Sequence, residues 1–171
     1  MGRFLYPDAY LASAYQIDYD RLYKKGYRGL IFDLDNTLVP HGAPADERAV
    51  NLFARLREIG FTCVLLSNNQ EPRVKSFCMQ VKALYIFKAG KPMPGAYRRA
   101  MDMMHTNCSN TVFIGDQIFT DVMGANLAGI PSILVKPINP KEEIQIVLKR
   151  YPEKLVLLCY RIGHRHRREV L

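Results

Sequence analysis

A chain of 171 residues, 49% of them apolar, is long enough to bury one sizeable core unaided, so one domain over 1–171 is the expectation. Its net charge of +8, from 24 basic and 16 acidic residues, suggests an anionic partner, whether nucleic acid, acidic lipid or a phosphorylated ligand. Short apolar runs such as LVLLCY at 155–160 exclude a bilayer span, and Cys63, Cys78, Cys108 and Cys159, with no C-x-x-C pair, speak against a thiolate metal cluster and fit a reducing cytosol.

The start, MGRFLYPDAYLASAYQ, has no basic region followed by a long apolar run and no small-residue cleavage site, so no signal peptide is expected. Phe4, Leu5, Tyr6, Tyr10, Leu11 and Tyr15 read instead as a segment packing back on a sheet. GLIFDL at 29–34 predicts a buried strand. Residues 45–59 place Val50, Phe53, Leu56 and Ile59 at helical steps, with Gly60 as the stop. Strands then alternate with helices: TCVLL at 62–66, a helix over 71–82, LYIF at 84–87, a helix over 94–105, TVFIG at 111–115, a helix over 119–128, and SILVK at 132–136. The last segment, about 153–171, is basic and gathers Arg161, His164, Arg165, His166, Arg167 and Arg168. Strands alternating with single helices predict a parallel sheet with right-handed crossovers, a Rossmann-like three-layer α/β sandwich.

In such sheets ligands bind outside the carboxyl ends of the strands, where loops and helix N-termini converge. Asp33 and Asp35 end the strand at 29–34, Ser67 and Asn68 follow the strand at 62–66, and Asp116 follows the strand at 111–115. All fall on one edge. In DLDNTLV at 33–39 the two carboxylates point one way if the strand continues, or towards one cavity as it ends. Like charges that close call for a cation or a proton.

DLDNTL after an apolar strand, then Ser67, Lys91 and GDQIFTD at 115–121, resemble in order the four motifs of the haloacid dehalogenase (HAD) superfamily. With FLYPD near the start, SNNQEPRV at 67–74, KAGKPMPGAYRRAM at 88–101 and IGDQIFTDVMGAN at 114–126, the layout is similar to the YqeG-type branch of subfamily IIIA. That branch resembles the mitochondrial phosphatidylglycerophosphate phosphatases. The resemblance spans roughly residues 3–140 and implies a magnesium-dependent phosphatase.

On that resemblance Asp33 is the nucleophile and Asp35 the general acid and base, an acid that HAD dehalogenases lack. Asp33, the backbone carbonyl of Asp35 and the carboxylate of Asp116 hold Mg2+. Ser67 and Asn68 bind phosphate oxygens, although Ser-Asn-Asn also suits a turn, and Lys91 balances the charge. Lys88 competes with Lys91, but the Lys-Pro context favours 91. Asp121 touches a metal-bound water, orients Lys91 or caps the next helix. Thr37 helps hold the loop, Asn36 suits a left-handed turn, and Gly115 allows close approach or is an ordinary strand-ending glycine.

Only VPHGAP separates Leu38 from the next helix, and 69–91 holds one helix and one strand, so no cap domain is expected. An open site suits a phosphate projecting from something large. With the basic tail, this favours phosphatidylglycerophosphate at an anionic membrane surface, hence a cytoplasmic protein peripheral to the inner face, with each basic residue contributing on the order of 1 kcal/mol. A soluble metabolite or protein substrate is the alternative. A non-enzymatic aspartyl-phosphate switch ranks lower because Asp35 would promote hydrolysis. No nucleic acid partner is expected, since no basic motif is interleaved with aromatics.

Overall fold

The hydrophobic runs of the sequence become strands of a single parallel sheet in a computed structural model that describes residues 3–139 and 152–160. The strands are β1 (Ala9–Leu11), β2 (Gly29–Phe32), β3 (Thr62–Leu66), β4 (Leu84–Ile86), β5 (Thr111–Gly115) and β6 (Ser132–Val135). The helices are α1 (Tyr19–Lys24), α2 (Glu47–Ile59), α3 (Glu71–Val81), α4 (Gly95–Met104), α5 (Met123–Ala128) and α6 over 152–160. The sheet order is β1-β6-β5-β2-β3-β4.

Every residue of β2 and β5 is buried, which is why both read as unbroken apolar runs rather than alternating ones. Their side chains divide between two faces. Leu30 and Phe32 join Leu22, Phe53, Leu56 and Phe77 from α1, α2 and α3. Ile31 and Phe113 join Tyr97, Ala100, Met101 and Ala125 from α4 and α5. The predicted three layers follow from this division.

Helix α2 shows how local chemistry sets the boundaries. Asp46 accepts the Ala49 N–H at 2.8 Å as N-cap, and Gly60 ends the helix in the left-handed conformation at φ 109°. The expected span 45–59 therefore shortens at its start.

From β2 the chain steps outward through β3 to β4, returns over α4 to β5 on the other side of β2, and continues to β6. The order reverses between β2 and β5, so the crevice opens at their carboxyl ends.

Three of these elements, β1, α1 and α6, lie outside the expected set. β1 is an edge strand of three half-buried residues, too short to show a period, and it pairs with β6 in the register Tyr10↔Leu134. Asp8 locks that edge: its N–H donates to the Ser132 carbonyl and its carboxylate accepts the Ser132 N–H, both at 2.9 Å. α1 is six residues long, with Asp18 accepting the Arg21 N–H at 2.9 Å as its cap. The helix expected over 119–128 begins as a π-helical turn, Ile118–Val122, before α5. The basic run from Arg161 to Arg168 lies outside the described residues.

Candidate active site

Asp33 leaves β2 with its N–H donated to the Ile114 carbonyl at 2.8 Å, so the ladder to β5 runs one residue past the strand and fixes the carboxylate. The chain then turns. Asn36 takes the left-handed conformation at φ 64°, as its residue type suggests, and the Leu38 N–H returns to the Leu34 carbonyl at 3.1 Å. The Thr37 hydroxyl lies 3.4 Å from Asp33 Oδ2 and 3.3 Å from Asp116 Oδ1, tying the first motif to the fourth.

Lys91, buried at 8% exposure, reaches Asp33 Oδ1 at 2.5 Å and Asp121 Oδ1 at 2.7 Å. Lys88, the competing lysine, is exposed. Asp121 is fully buried and works in two directions: beyond holding Lys91, its Oδ2 accepts the N–H groups of Asp116 and Gln117, each at 3.1 Å. The contact with Lys91 is the geometry that one of its three expected roles calls for, and its backbone bonds run upstream to the turn. A Cβ on Gly115 would stand 2.7 Å from both Asp121 Cγ and Phe113 Cε1, so this glycine is required by close approach.

The second motif follows β3. Ser67 is buried between strands, its N–H on the Ile86 carbonyl and its own carbonyl accepting the Ala89 N–H, both at 3.0 Å. Its hydroxyl accepts the Asn69 N–H at 3.1 Å. The Asn68 side chain grips the backbone of Lys91, accepting its N–H at 2.8 Å and donating to its carbonyl at 3.3 Å. The second motif thereby positions the third.

Asp35 parts company with Asp33. Its Oδ1 accepts the Gly42 N–H at 2.9 Å and Arg73 at 2.8 Å, and its Oδ2 accepts Asn69 Nδ2 at 3.2 Å. The side chains of Asp33 and Asp35 thus have separate sets of hydrogen-bond partners. The carboxylates that gather are those of Asp33, Asp116 and Asp121, one oxygen from each lying within 4.8 Å of the others.

These environments separate the charges. Burial pushes the Asp33 carboxyl up to about 7, opposed by Lys91 and assisted by the like charge of Asp121. For Asp35 burial pulls upward too, but the bonds from Arg73, Gly42 and Asn69 outweigh it and hold the group below the usual carboxylate range. Burial disfavours the Lys91 ammonium, yet Asp121 and Asp33 overcome this and keep it charged. Three buried carboxylates around one ammonium carry excess negative charge, and their donors are all hard oxygen atoms. That set fits a small divalent cation such as Mg2+.

Arg73, Asn69 and a further residue, Glu153, were not singled out by sequence reasoning. Arg73 and Asn69 stand inside SNNQEPRV, but a polar residue at a helix start carries no signal of its partner. Glu153 lies in α6, where its buried carboxylate accepts the Ile118 N–H at 2.9 Å.

A doubly wound sheet with buried acids and a lysine at its switch point has the architecture of a phosphoryl-transfer enzyme. Residues 88–141 match the family described as HAD-hydrolase-like. The chain is 36% identical over 166 residues to the "probable phosphatase YqeG" of Bacillus subtilis strain 168, covering 96% of each. It is 24% identical over 172 residues to phosphatidylglycerophosphate phosphatase 1 of Arabidopsis thaliana, spanning 91% of this chain and 48% of that protein. Among solved structures, a HAD superfamily subfamily III A hydrolase from Legionella pneumophila superposes with a TM-score of 0.54 at 16% identity, covering 83% of this chain and 88% of that one. The cobalt-bound deoxy-D-mannose-octulosonate 8-phosphate phosphatase of Haemophilus influenzae does so with a TM-score of 0.51 at 12% identity, covering 80% and 90%. The chain belongs to the HAD superfamily of hydrolases. Within it, the sequence is related to the YqeG-type phosphatases, and among the described residues no cap domain interrupts the sheet.

Proposed function

We propose that this phosphatase hydrolyses monoesters through an aspartyl-phosphate on Asp33 with Mg2+, and that its substrate is a lipid head-group phosphate such as that of phosphatidylglycerophosphate. The observation that supports the chemistry is the buried bridge from Lys91 to Asp33 and Asp121 beside Asp116. The reading takes residues 1–171 as one domain with a basic C-terminal segment.

An oxygen of Asp33 bonds to phosphorus as the ester P–O bond breaks, and the departing oxygen keeps the electron pair and takes a proton from Asp35. Asp35 carries that proton in the substrate complex, where the negative charge of the phosphate opposes the ionisation favoured by Arg73, Gly42 and Asn69. The oxygen of water then bonds to phosphorus while Asp35 accepts its proton. The bond from Asp33 to phosphorus breaks, which restores the carboxylate and frees inorganic phosphate. The Ser67 hydroxyl and the backbone N–H of Asn68 bind phosphoryl oxygens, and Lys91 offsets their charge. Asp33, Asp116 and the backbone carbonyl of Asp35 would hold Mg2+, with Asp121 and Thr37 keeping the ligands and Lys91 in place and Gly115 making room for Asp121. When bound, the ion neutralises charge on the transferring group.

The substrate reading is supported by the absence of a cap among the described residues and by the name of the Arabidopsis relative. Among the described residues no helix is long and apolar enough to cross a membrane, so docking at an anionic surface would fall to peripheral contacts. Phosphate release from p-nitrophenyl phosphate and from phosphatidylglycerophosphate micelles, with Mg2+ and with EDTA, tests both parts. Activity is expected to need Mg2+ and to vanish in Asp33→Asn, and wild-type rates in that variant would refute the nucleophile. Higher kcat/KM on a soluble metabolite than on the lipid would move the substrate to the soluble class. Equal recovery of the protein in the supernatant with and without anionic liposomes would remove the membrane.

A further inference from the structure

We propose that Tyr97 is a positioning residue: its hydroxyl fixes the π-helical turn that carries Asp121 and, through Asp121, sets where Lys91 and the Asp116 backbone stand. This rests on the reading of Asp33, Lys91 and Asp116 as the groups that handle phosphate and Mg2+.

Tyr97 lies in the first turn of α4, the helix that follows Lys91, and it is fully buried. A buried phenol needs an acceptor, and the carbonyl oxygens that this one meets belong to the turn Ile118–Val122. It donates to Thr120 at 2.9 Å and lies 3.4 Å from the carbonyl oxygen of Asp121. π-Helical turns are rare, and this one draws support from α4. Asp121 then passes the placement on in two directions. Its Oδ1 holds Lys91 Nζ at 2.7 Å, while its Oδ2 accepts the N–H groups of Asp116 and Gln117, each at 3.1 Å. One hydroxyl on the helix of the third motif thus fixes the turn on which the charges of the site are arranged.

The surroundings of Tyr97 are shaped to let the hydroxyl reach that turn. A Cβ on Gly124 of α5 would overlap the hydroxyl oxygen and stand 2.7 Å from Tyr97 Cε2, so a glycine, unfavourable inside a helix, admits the tip of the ring. On its other side the Tyr97 ring packs on Phe113 of β5 with centroids 5.2 Å apart, and the Phe113 ring centre lies 5.7 Å from Lys91 Nζ. Held between Gly124 and Phe113, the phenol is aimed at the turn, and a shift of the turn would carry Asp121 away from Lys91. A buried hydroxyl of ordinary structural kind offers the contrast. Thr111 donates to the Thr106 hydroxyl at 2.9 Å at the amino end of β5, on the edge of the sheet opposite the site.

The full chain is compared as wild type, Tyr97→Phe, Thr111→Val and Asp33→Asn. The readouts are the melting temperature in EDTA, the Kd for Mg2+ by isothermal titration calorimetry, and kcat on p-nitrophenyl phosphate at saturating Mg2+. In Tyr97→Phe the Kd is expected to rise by on the order of tenfold, the low end of what losing the support behind a metal ligand costs, and kcat is expected to fall by about as much. Thr111→Val is expected to lower the melting temperature alone. Either change in Tyr97→Phe, when absent from Thr111→Val, supports the proposal. Wild-type Kd and kcat in Tyr97→Phe, whatever its melting temperature, make the hydroxyl purely structural and overturn it, as does an equal loss in Thr111→Val. Full activity in Asp33→Asn, or no binding of Mg2+ by wild type, overturns the reading of the site and the inference with it. If Tyr97→Phe does not fold, Gly124→Ala, whose methyl group would displace the hydroxyl, is judged by the same criteria.

Discussion

Lys91 is the residue on which the buried charges balance. Its ammonium lies between Asp33 and Asp121, and neither carboxylate is paired with another cation among the described residues. Removing one partner of a buried ion pair strands the other, which costs about 3–5 kcal/mol. Lys91→Met is therefore expected to lower unfolding stability by about that amount in the absence of metal, as measured by urea titration. A change under about 1 kcal/mol would mean that the pair contributes little. Gly115 makes the complementary case, where a single methyl group matters. Gly115→Ala would drive a Cβ into the Asp121 carboxyl group and the Phe113 ring, with an overpacking cost of about 1–3 kcal/mol. Because Asp121 must move, activity in that variant is expected to fall even where the protein remains folded, which a circular dichroism melt beside the phosphatase assay would show.

Between elements, the C-terminal helix reaches into the fourth motif. Val156 and Leu157 of α6 pack against Ile118, Val122 and Leu134, and Glu153 accepts the Ile118 N–H where the π-helical turn begins. That turn carries Asp121 and follows Asp116, so the helix supports the site from outside it. Glu153→Ala leaves a buried N–H without this acceptor, at a cost of about 1–3 kcal/mol, and is expected to raise the Mg2+ concentration for half-maximal activity. Metal dependence that matches wild type would confine Glu153 to a purely structural part. The sequence carried no sign of this contact, because Glu153 and Ile118 are 35 residues apart and no local pattern links them. The same holds for Asn68: Ser-Asn-Asn reads as a turn or a phosphate loop, and only the fold shows its amide gripping Lys91.

Across the whole molecule, the two-sided core makes the protein sensitive to alkali. Burial raises the Cys63 and Cys78 thiols from 9.0 to about 12, and raises Tyr19 and Tyr97 as well. The folded chain then keeps protons that the unfolded chain releases from about pH 9 upward. This part of the stability is complete below that range and drains away as pH rises towards 12. The urea midpoint is expected to be lower at about pH 10.5 than at about pH 8, and equal midpoints would contradict the burial of these groups. The alternation of apolar runs made the parallel sandwich legible from sequence, since β2, β3 and β5 are buried on both faces and their composition is dictated by that burial alone. The edge of the sheet on which Asp33, Ser67 and Asp116 fall was legible too, because strand ends are local and a parallel sheet aligns them, whereas Lys91 was singled out only through the family resemblance. What only the tertiary structure decided is the sorting of the acids: Asp121 joins Asp33 and Asp116, and Asp35 turns away to Arg73. Side-chain partners brought together from distant positions depend on how loops fold over the sheet, and that distance is invisible to any pattern read along the chain.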